Sequence, residues 1–395
     1  MKKLFPLFLI SYLLFATHGS VRIEDSAKGR DTIIRVLTHT DLDGALIEVK
    51  SGFTVQNPST MKKIDTYYSK QRHYLSTSND GLKWGKLYKG VHQIEITPRD
   101  KTTTFLINGI QYSGKLTAYD IASKLFLVVE VDVDHYLKSI LSGRFADKNL
   151  HQTTLESLAI ALRTDLYHKI ATSTNPFWDI KAETHGFAGS SLQVIGSNAN
   201  NAVNATKDLI MLYENRPFPT AWSDDCGGRT ASYKVIFRKD VPSPPGVFVP
   251  FAQKNRSQHS WKCSLSKREF AKMLELDSIQ SIEPFKDSTT EKIYAMRVNG
   301  RGLTFRELTI LDLQTLIGKD RLKSNDFSIK LIDERIEFCG FGHGLGVGLC
   351  LLSAKEMAES GKSTAKVLSA FYPETKIIKL DFVPQVFFEE DPIEE

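Results

Sequence analysis

The residues best able to do chemistry gather in two stretches of the second half of the chain. Ser223-Asp224-Asp225-Cys226-Gly227-Gly228 sets two adjacent carboxylates and a thiol ahead of a glycine pair. Cys339-Gly340-Phe341-Gly342-His343-Gly344-Leu345-Gly346-Val347-Gly348-Leu349-Cys350 carries glycine at every second position around a single histidine. A carboxylate works as a general acid only where its surroundings raise its pKa, and exposed acids keep ordinary values. Glycine at alternate positions strips one face of a strand, which lets a second backbone or a flat ligand approach; a packed or bulged strand with no ligand is the plainer reading.

The four cysteines, at 226, 263, 339 and 350, form no CxxC knuckle. In an exported protein an even count permits two disulfides in three connectivities, and disulfides are the expectation here. Free buried thiols and a metal site are the alternatives, and no metal or cofactor is expected.

These stretches need elements to position them. From Asp31 to about Val133 apolar and polar residues alternate, as in Ile34-Arg35-Val36-Leu37, which predicts strands. Asn108-Gly109 between Thr103-Thr104-Phe105-Leu106 and Ile110-Gln111-Tyr112 predicts a hairpin, because both turn residues tolerate positive φ. The period then changes: Leu155, Leu158, Ala159, Leu162 and Leu166 predict a helix over 153–170, with Thr153 and Glu156 spaced as a capping box. Further helices are expected around 201–210, 266–276, 351–360 and 364–371, with a proline-rich excursion at 241–260. The fold class is α+β: an N-terminal β-rich section over 21–135, then a core over 136–380 in which a second β-rich stretch follows the helix carrying Arg163.

The first twenty residues place Lys2 and Lys3 before an apolar run from Leu4 to Ala16 and end in small or polar residues, the pattern of a secretory signal. The run is too short to span a bilayer comfortably, and no later stretch reaches spanning length. An exported protein, in the periplasm or cell envelope, is the expectation. The net charge is +5, and removing the two lysines leaves +5 − 2 = +3. That mild bias suits an anionic polymer such as cell wall, and without Lys/Arg runs or interleaved aromatics it argues against nucleic acid. The acidic end over 381–395 reads as a solvated tail.

Taken in order, several of these pieces resemble the SpoIID/LytB family, which includes a sporulation peptidoglycan lytic transglycosylase and an amidase enhancer. The carriers are Asn108 to Gly114, Tyr136-Leu137-Lys138-Ser139-Ile140-Leu141, Ala161-Leu162-Arg163-Thr164, Ala202 to Lys207, Cys226-Gly227-Gly228-Arg229-Thr230, Leu322 to Phe327, the glycine-rich stretch and Ala354 to Ala358. The resemblance implies an association with peptidoglycan glycan strands, with a cell-wall amidase as a further partner. It also implies a reaction in which one carboxylic acid protonates the glycosidic oxygen and then helps the sugar's own 6-hydroxyl attack the anomeric carbon.

The family places that glutamate just after the Tyr-Leu-Lys stretch. Counted without a gap, its position here holds Arg144, which stays charged and cannot act as a general acid. The family's Gly-His-Gly histidine becomes Leu345, with His343 two residues earlier, and Ser223 stands where the family often has histidine. Two readings follow: a lytic transglycosylase with a relocated acid, for which Asp225 and Asp147 are the first choices, or a glycan-binding, amidase-enhancing relative that does not cut. A third is an envelope protein that has lost the sugar site. Substrate contacts are expected from Arg163, whose planar fork suits sugar hydroxyls or a lactyl carboxylate, and from Thr164, Ser223, Gly227, Gly228, Ser324, His343 and Gly344.

Overall fold

The structure is a computed structural model that describes residues 32–100, 103–189 and 197–380. The expected leader and the acidic tail lie outside these residues.

Twelve strands run before the first helix described. They are β1 (Ile33–Leu42), β2 (Gly44–Val49), β3 (Phe53–Gln56), β4 (Lys63–Tyr67), β5 (Gln71–Ser76) and β6 (Gly81–Trp84). β7 (Lys86–Lys89), β8 (Gln93–Pro98), β9 (Thr104–Ile107), β10 (Ile110–Ser113), β11 (Lys115–Ile121) and β12 (Lys124–Asp132) follow. One sheet has the order β13-β1-β12-β11-β8-β3-β4, with β13 (Ile180–Lys181) returning from later in the chain, and the other β10-β9-β2-β5-β6-β7. Alternation explains the layering: Ala45, Ile47 and Val49 of β2 are buried, as are Ile94 and Ile96 of β8. Burying a side chain such as Phe53, which stacks on Tyr67 at 4.8 Å, contributes about 2–3 kcal/mol. The expected hairpin forms, with Asn108 at φ 51° and Gly109 at φ 86° between β9 and β10.

Helix α1 (Val133–Phe145) follows β12 directly; the Asp132 carboxylate accepts from His135 N and caps it. Its apolar stripe, Tyr136, Leu137, Ile140, Leu141 and Phe145, faces the core. Helix α2 (Gln152–Thr172) is buried almost without a break from Thr154 to Leu166 and so is the central helix rather than an amphipathic surface one. The expected capping box is absent. His151 Nδ1 accepts from Thr153 N instead, and Glu156 accepts from Thr364 Oγ1 at 2.6 Å, tying α2 to a C-terminal helix.

Helix α3 spans Ser197–Ala205, earlier than the 201–210 expected. Asp208 at φ 63° breaks the chain direction, and the aliphatic run that follows forms β14 (Leu209–Leu212). A short strand β15 (Trp222–Ser223) leads to α4 (Tyr233–Phe237), and the proline-rich excursion contains α5 (Pro250–Lys254) with proline in its first turn.

From there a smaller core forms around β16 (Ser260–Ser266), α6 (Lys267–Met273), β17 (Ser281–Lys286), β18 (Ile293–Asn299), β19 (Phe305–Thr309) and α7 (Ile310–Ile317). It is completed by β20 (Phe327–Ile332) and β21 (Arg335–Phe341). β22 (Leu349–Cys350) runs parallel to β15, and α8 (Leu351–Glu359) and α9 (Thr364–Phe371) pack back on the larger core. That core crosses residue 135 and joins the first two sheets to α1, α2 and the C-terminal helices. β23 (Lys376–Lys379) pairs antiparallel with β14. The architecture is mixed α+β.

The glycine-rich stretch departs from the strand expected over 339–350. β21 ends at Phe341, and Gly342, Gly344, Gly346 and Gly348 all have positive φ, between 58° and 104°. The close approach expected of it is present. A Cβ at Gly342 would stand 2.6 Å from Asp225 O, and one at Gly348 2.2 Å from Ala221 O, so this stretch lies backbone to backbone along 221–227.

Candidate active site

The end of α1, the loop over 222–228 and the glycine-rich stretch converge. Lys148, just past α1, donates to Asp224 Oδ1 at 2.5 Å, and His343 Nδ1 lies 2.9 Å from Asp224 Oδ2. His343 and Lys148 together hold the Asp224 carboxyl down at about 2, so it stays ionised in ordinary conditions. The backbones of Asp225 and His343 exchange both hydrogen bonds, which fixes the loop against the glycine-rich stretch.

Asp225 is buried. Its Oδ1 accepts from Gly227 N at 2.9 Å and its Oδ2 lies 2.6 Å from His259 Nδ1. Two Asp–His pairs therefore stand side by side, with His343 54% and His259 38% exposed. In each the Nδ1 side is held by a carboxylate, and Nε2 has no partner among the described residues. That arrangement orients an imidazole for proton transfer or for holding a polar ligand.

Arg144 reaches the same place from α1. Its guanidinium carbon stands 5.1 Å from the centre of the Trp222 ring, and Nη1 donates to His185 O at 3.2 Å. Beneath it His185 is buried, with Nδ1 3.1 Å from Tyr136 Oη and Nε2 2.9 Å from Asp165 Oδ2. The His185 hydrogen bond holds Asp165 below the usual carboxylate range against the opposing pull of burial. Asp165 is thereby a structural anion; Thr220 N also donates to it. Asp147 is exposed in the single turn Ala146–Lys148 and makes no ion pair among the described residues.

The other expected contact residues are placed differently. Arg163 is 1% exposed and its guanidinium donates to Thr206 O at 2.7 Å, Leu209 O at 3.2 Å and Asp134 Oδ1 at 2.8 Å. Asp134 and Arg144 are at opposite ends of α1, ten residues apart, or about 15 Å of helix. Arg163 thus braces α3 and β14 against the start of α1, away from the Asp–His pairs. Thr164 is buried, donating to Ile160 O and accepting from Met211 N. Ser324 donates to Phe341 O and accepts from Trp261 Nε1, and Ser223 accepts from Gly346 N. Gly227 and Gly228 have φ of 66° and 104°, and a Cβ at Gly344 would strike Ser223. These serines and glycines are brought to the convergence, where they shape its backbone.

Sequence reasoning missed His259, His185, Arg256, Lys292 and Asp326. Arg256 forms a two-pronged pair with Asp326 at 2.6 and 2.8 Å and also donates to Gly227 O. Lys292, 1% exposed, donates to Cys226 O at 2.9 Å, and burial lowers its pKa. Asp326 lies in the Leu322 to Phe327 stretch that carries the resemblance, and the other four lie in no spacing pattern that would flag them.

All four cysteines are free thiols, so the expected disulfides are open in this structure. Asp225, Cys226 and Cys350 offer donor atoms within 4.8 Å of one another. Both Asp225 oxygens are already engaged by Gly227 N and His259, which leaves the two sulfurs facing each other. No helix of the described residues is long and apolar enough to cross a membrane.

Comparison with known proteins agrees with the resemblance. A family model described as SpoIID, stage II sporulation protein, matches residues 122–213, which run from β12 through Arg144 and Arg163 to β14. An uncharacterized protein of Chlamydia pneumoniae is 32% identical over 199 residues, covering 49% of this chain and 72% of that protein. Stage II sporulation protein D of Bacillus subtilis is 25% identical over 204 residues, 51% of this chain and 57% of the relative. The amidase enhancer of Bacillus subtilis is 24% identical over 233 residues, 46% of this chain and 32% of the relative. On the matched family model and these relatives, the chain belongs to the SpoIID/LytB family.

Proposed function

We propose that this protein is exported and binds the glycan strands of peptidoglycan at the convergence of α1, the 222–228 loop and the glycine-rich stretch, holding them without cutting at the family's glutamate position. The observation that carries the reading is Arg144 over Trp222. A guanidinium cannot supply a proton, yet stacked over an indole it is suited to sugars: it donates to hydroxyls and carboxylates, and the part of the ring it leaves uncovered offers an apolar surface to a pyranose. The kinship with a protein named amidase enhancer makes a cell-wall amidase the expected protein partner.

A second reading rests on the Asp–His pairs. An imidazolium held by Asp225 at Nδ1 could give its Nε2 proton to the glycosidic oxygen as the anomeric C–O bond breaks. It would recover a proton from the sugar 6-hydroxyl as that oxygen bonds to the anomeric carbon. One experiment separates the two readings. The chain is incubated with intact and peptide-stripped peptidoglycan, pelleted, and the glycan analysed by mass spectrometry for anhydro-muramyl ends. Retention without new ends supports the binding reading. New ends that vanish in His259→Gln support cleavage, and neither retention nor new ends sinks both.

A further inference from the structure

Cys226 and Cys350 are 124 residues apart in sequence, yet the structure buries them together beneath the 222–228 loop. Their sulfurs are within 4.8 Å, and Cys226 N donates to Cys350 Sγ at 3.3 Å. Cys350 is the N-cap residue of α8, its side chain does not cap the helix, and its Sγ stands 3.7 Å from Ser353 Oγ. Cys263 and Cys339 are not matched in this way. In the β16–β21 ladder Cys263 is opposite Phe338 and Cys339 opposite Lys262, so the two side chains point to opposite faces of the sheet. The fold therefore brings Cys226 and Cys350 together and turns Cys263 and Cys339 apart.

We propose that Cys226 and Cys350 form a disulfide that staples the Asp224–Asp225 loop to the start of α8, while Cys263 and Cys339 stay as thiols. The oxidant is a small-molecule or protein disulfide of an oxidising compartment, and to that extent the proposal rests on export. Both S–H bonds are lost and one S–S bond forms. The two electrons reduce the oxidant's disulfide to two thiols, which take up the two protons.

The thiols are chemically unequal in a way that suits the exchange. The hydrogen bond from Cys226, helped by the backbone N–H of Ser353, lowers Cys350, while the same bond and burial push Cys226 up. Whichever thiol ionises attacks the oxidant's disulfide, and the other displaces the oxidant's thiol to close the ring. The buried Lys292 Nζ donates to the carbonyl of Cys226 at 2.9 Å, beside the pair. The bridge would hold Asp225, and so His259, against the glycine-rich stretch.

The test uses the purified full chain and does not depend on export. The protein is equilibrated with glutathione disulfide, denatured, alkylated without reductant, digested and mapped. The expected result is a linked peptide pair containing Cys226 and Cys350, about 2 Da lighter than the two thiol peptides, with Cys263 and Cys339 alkylated. Cys263→Ser/Cys339→Ser keeps the linked pair, and Cys350→Ser abolishes it without creating another. Alkylation of all four cysteines, a link through Cys263 or Cys339, or stoichiometric zinc that shields the two thiols until chelated would each overturn the proposal. Glycan retention is a separate measurement, so loss of the bridge and loss of the binding reading are told apart.

Discussion

His343 Nδ1 lies 2.9 Å from Asp224 Oδ2, so the one histidine of the glycine-rich stretch is anchored to the loop that crosses it. Lys148 makes the same carboxylate the meeting point of three segments distant in sequence. The two contacts hold Asp224 at about 2, below its ordinary 3.8. A folded-state pKa below the unfolded one gives stability that is present above about 3.8 and is lost as pH falls toward 2. Asp224→Asn should therefore flatten the dependence of unfolding on pH across that window and lower the melting temperature at neutral pH. Thermal scans from neutral to acid pH check this, and an unchanged acid slope would mean the contacts do not form.

Arg163 is predicted to matter for folding and not for ligand. Its guanidinium serves three backbone carbonyls, of Thr206, Leu209 and Val203, and Asp134 at 1% exposure. Arg163→Met leaves those acceptors without a donor, a loss of about 3–5 kcal/mol typical of breaking a buried charged network from one side. Urea denaturation gives the size, and retention on peptidoglycan of the fraction that remains folded should equal that of the parent. Weakened retention in that folded fraction would return Arg163 to the binding surface.

The glycine-rich stretch yields an internally controlled prediction. Gly348→Ala puts a Cβ 2.2 Å from Ala221 O at φ 67°, whereas Gly361→Ala at φ 76° meets nothing within 4 Å. The second change costs about 1 kcal/mol, the penalty of a left-handed alanine. The first should cost at least about 2 kcal/mol more, since backbone must separate from backbone. Equal losses in the two variants would show that the stretch does not lie against 221–227.

Much of the fold is legible in the sequence, because its signals are local. The Asn108-Gly109 turn and the leucine period of α2 each act within a few residues, as do Gly361 after α8 and Pro373 after α9, which end those helices. What could not be read was set by long-range packing. Thr153 and Glu156 had the spacing of a capping box, but Glu156 found Thr364 instead, 208 residues away. His259 gives no local sign of its role, since its partner Asp225 is 34 residues earlier. Arg163 is expected to meet substrate because the sequence does not reveal that α2 is covered on nearly every side.

The reading of Arg144 leads to the most direct prediction. Its guanidinium covers one face of Trp222 and, among the described residues, hydrogen-bonds His185 O alone, so truncating it should not disturb the buried Tyr136–His185–Asp165 chain. Arg144→Ala should keep the melting temperature within about 2 °C, as expected of an exposed side chain. Retention on peptide-stripped glycan should fall about tenfold, equivalent to about 1.4 kcal/mol. Arg144→Lys, which keeps the charge and loses the planar fork, should recover only part of that loss. Full recovery would mean that charge alone holds the strand, and retention unchanged in Arg144→Ala would place the glycan elsewhere on the protein.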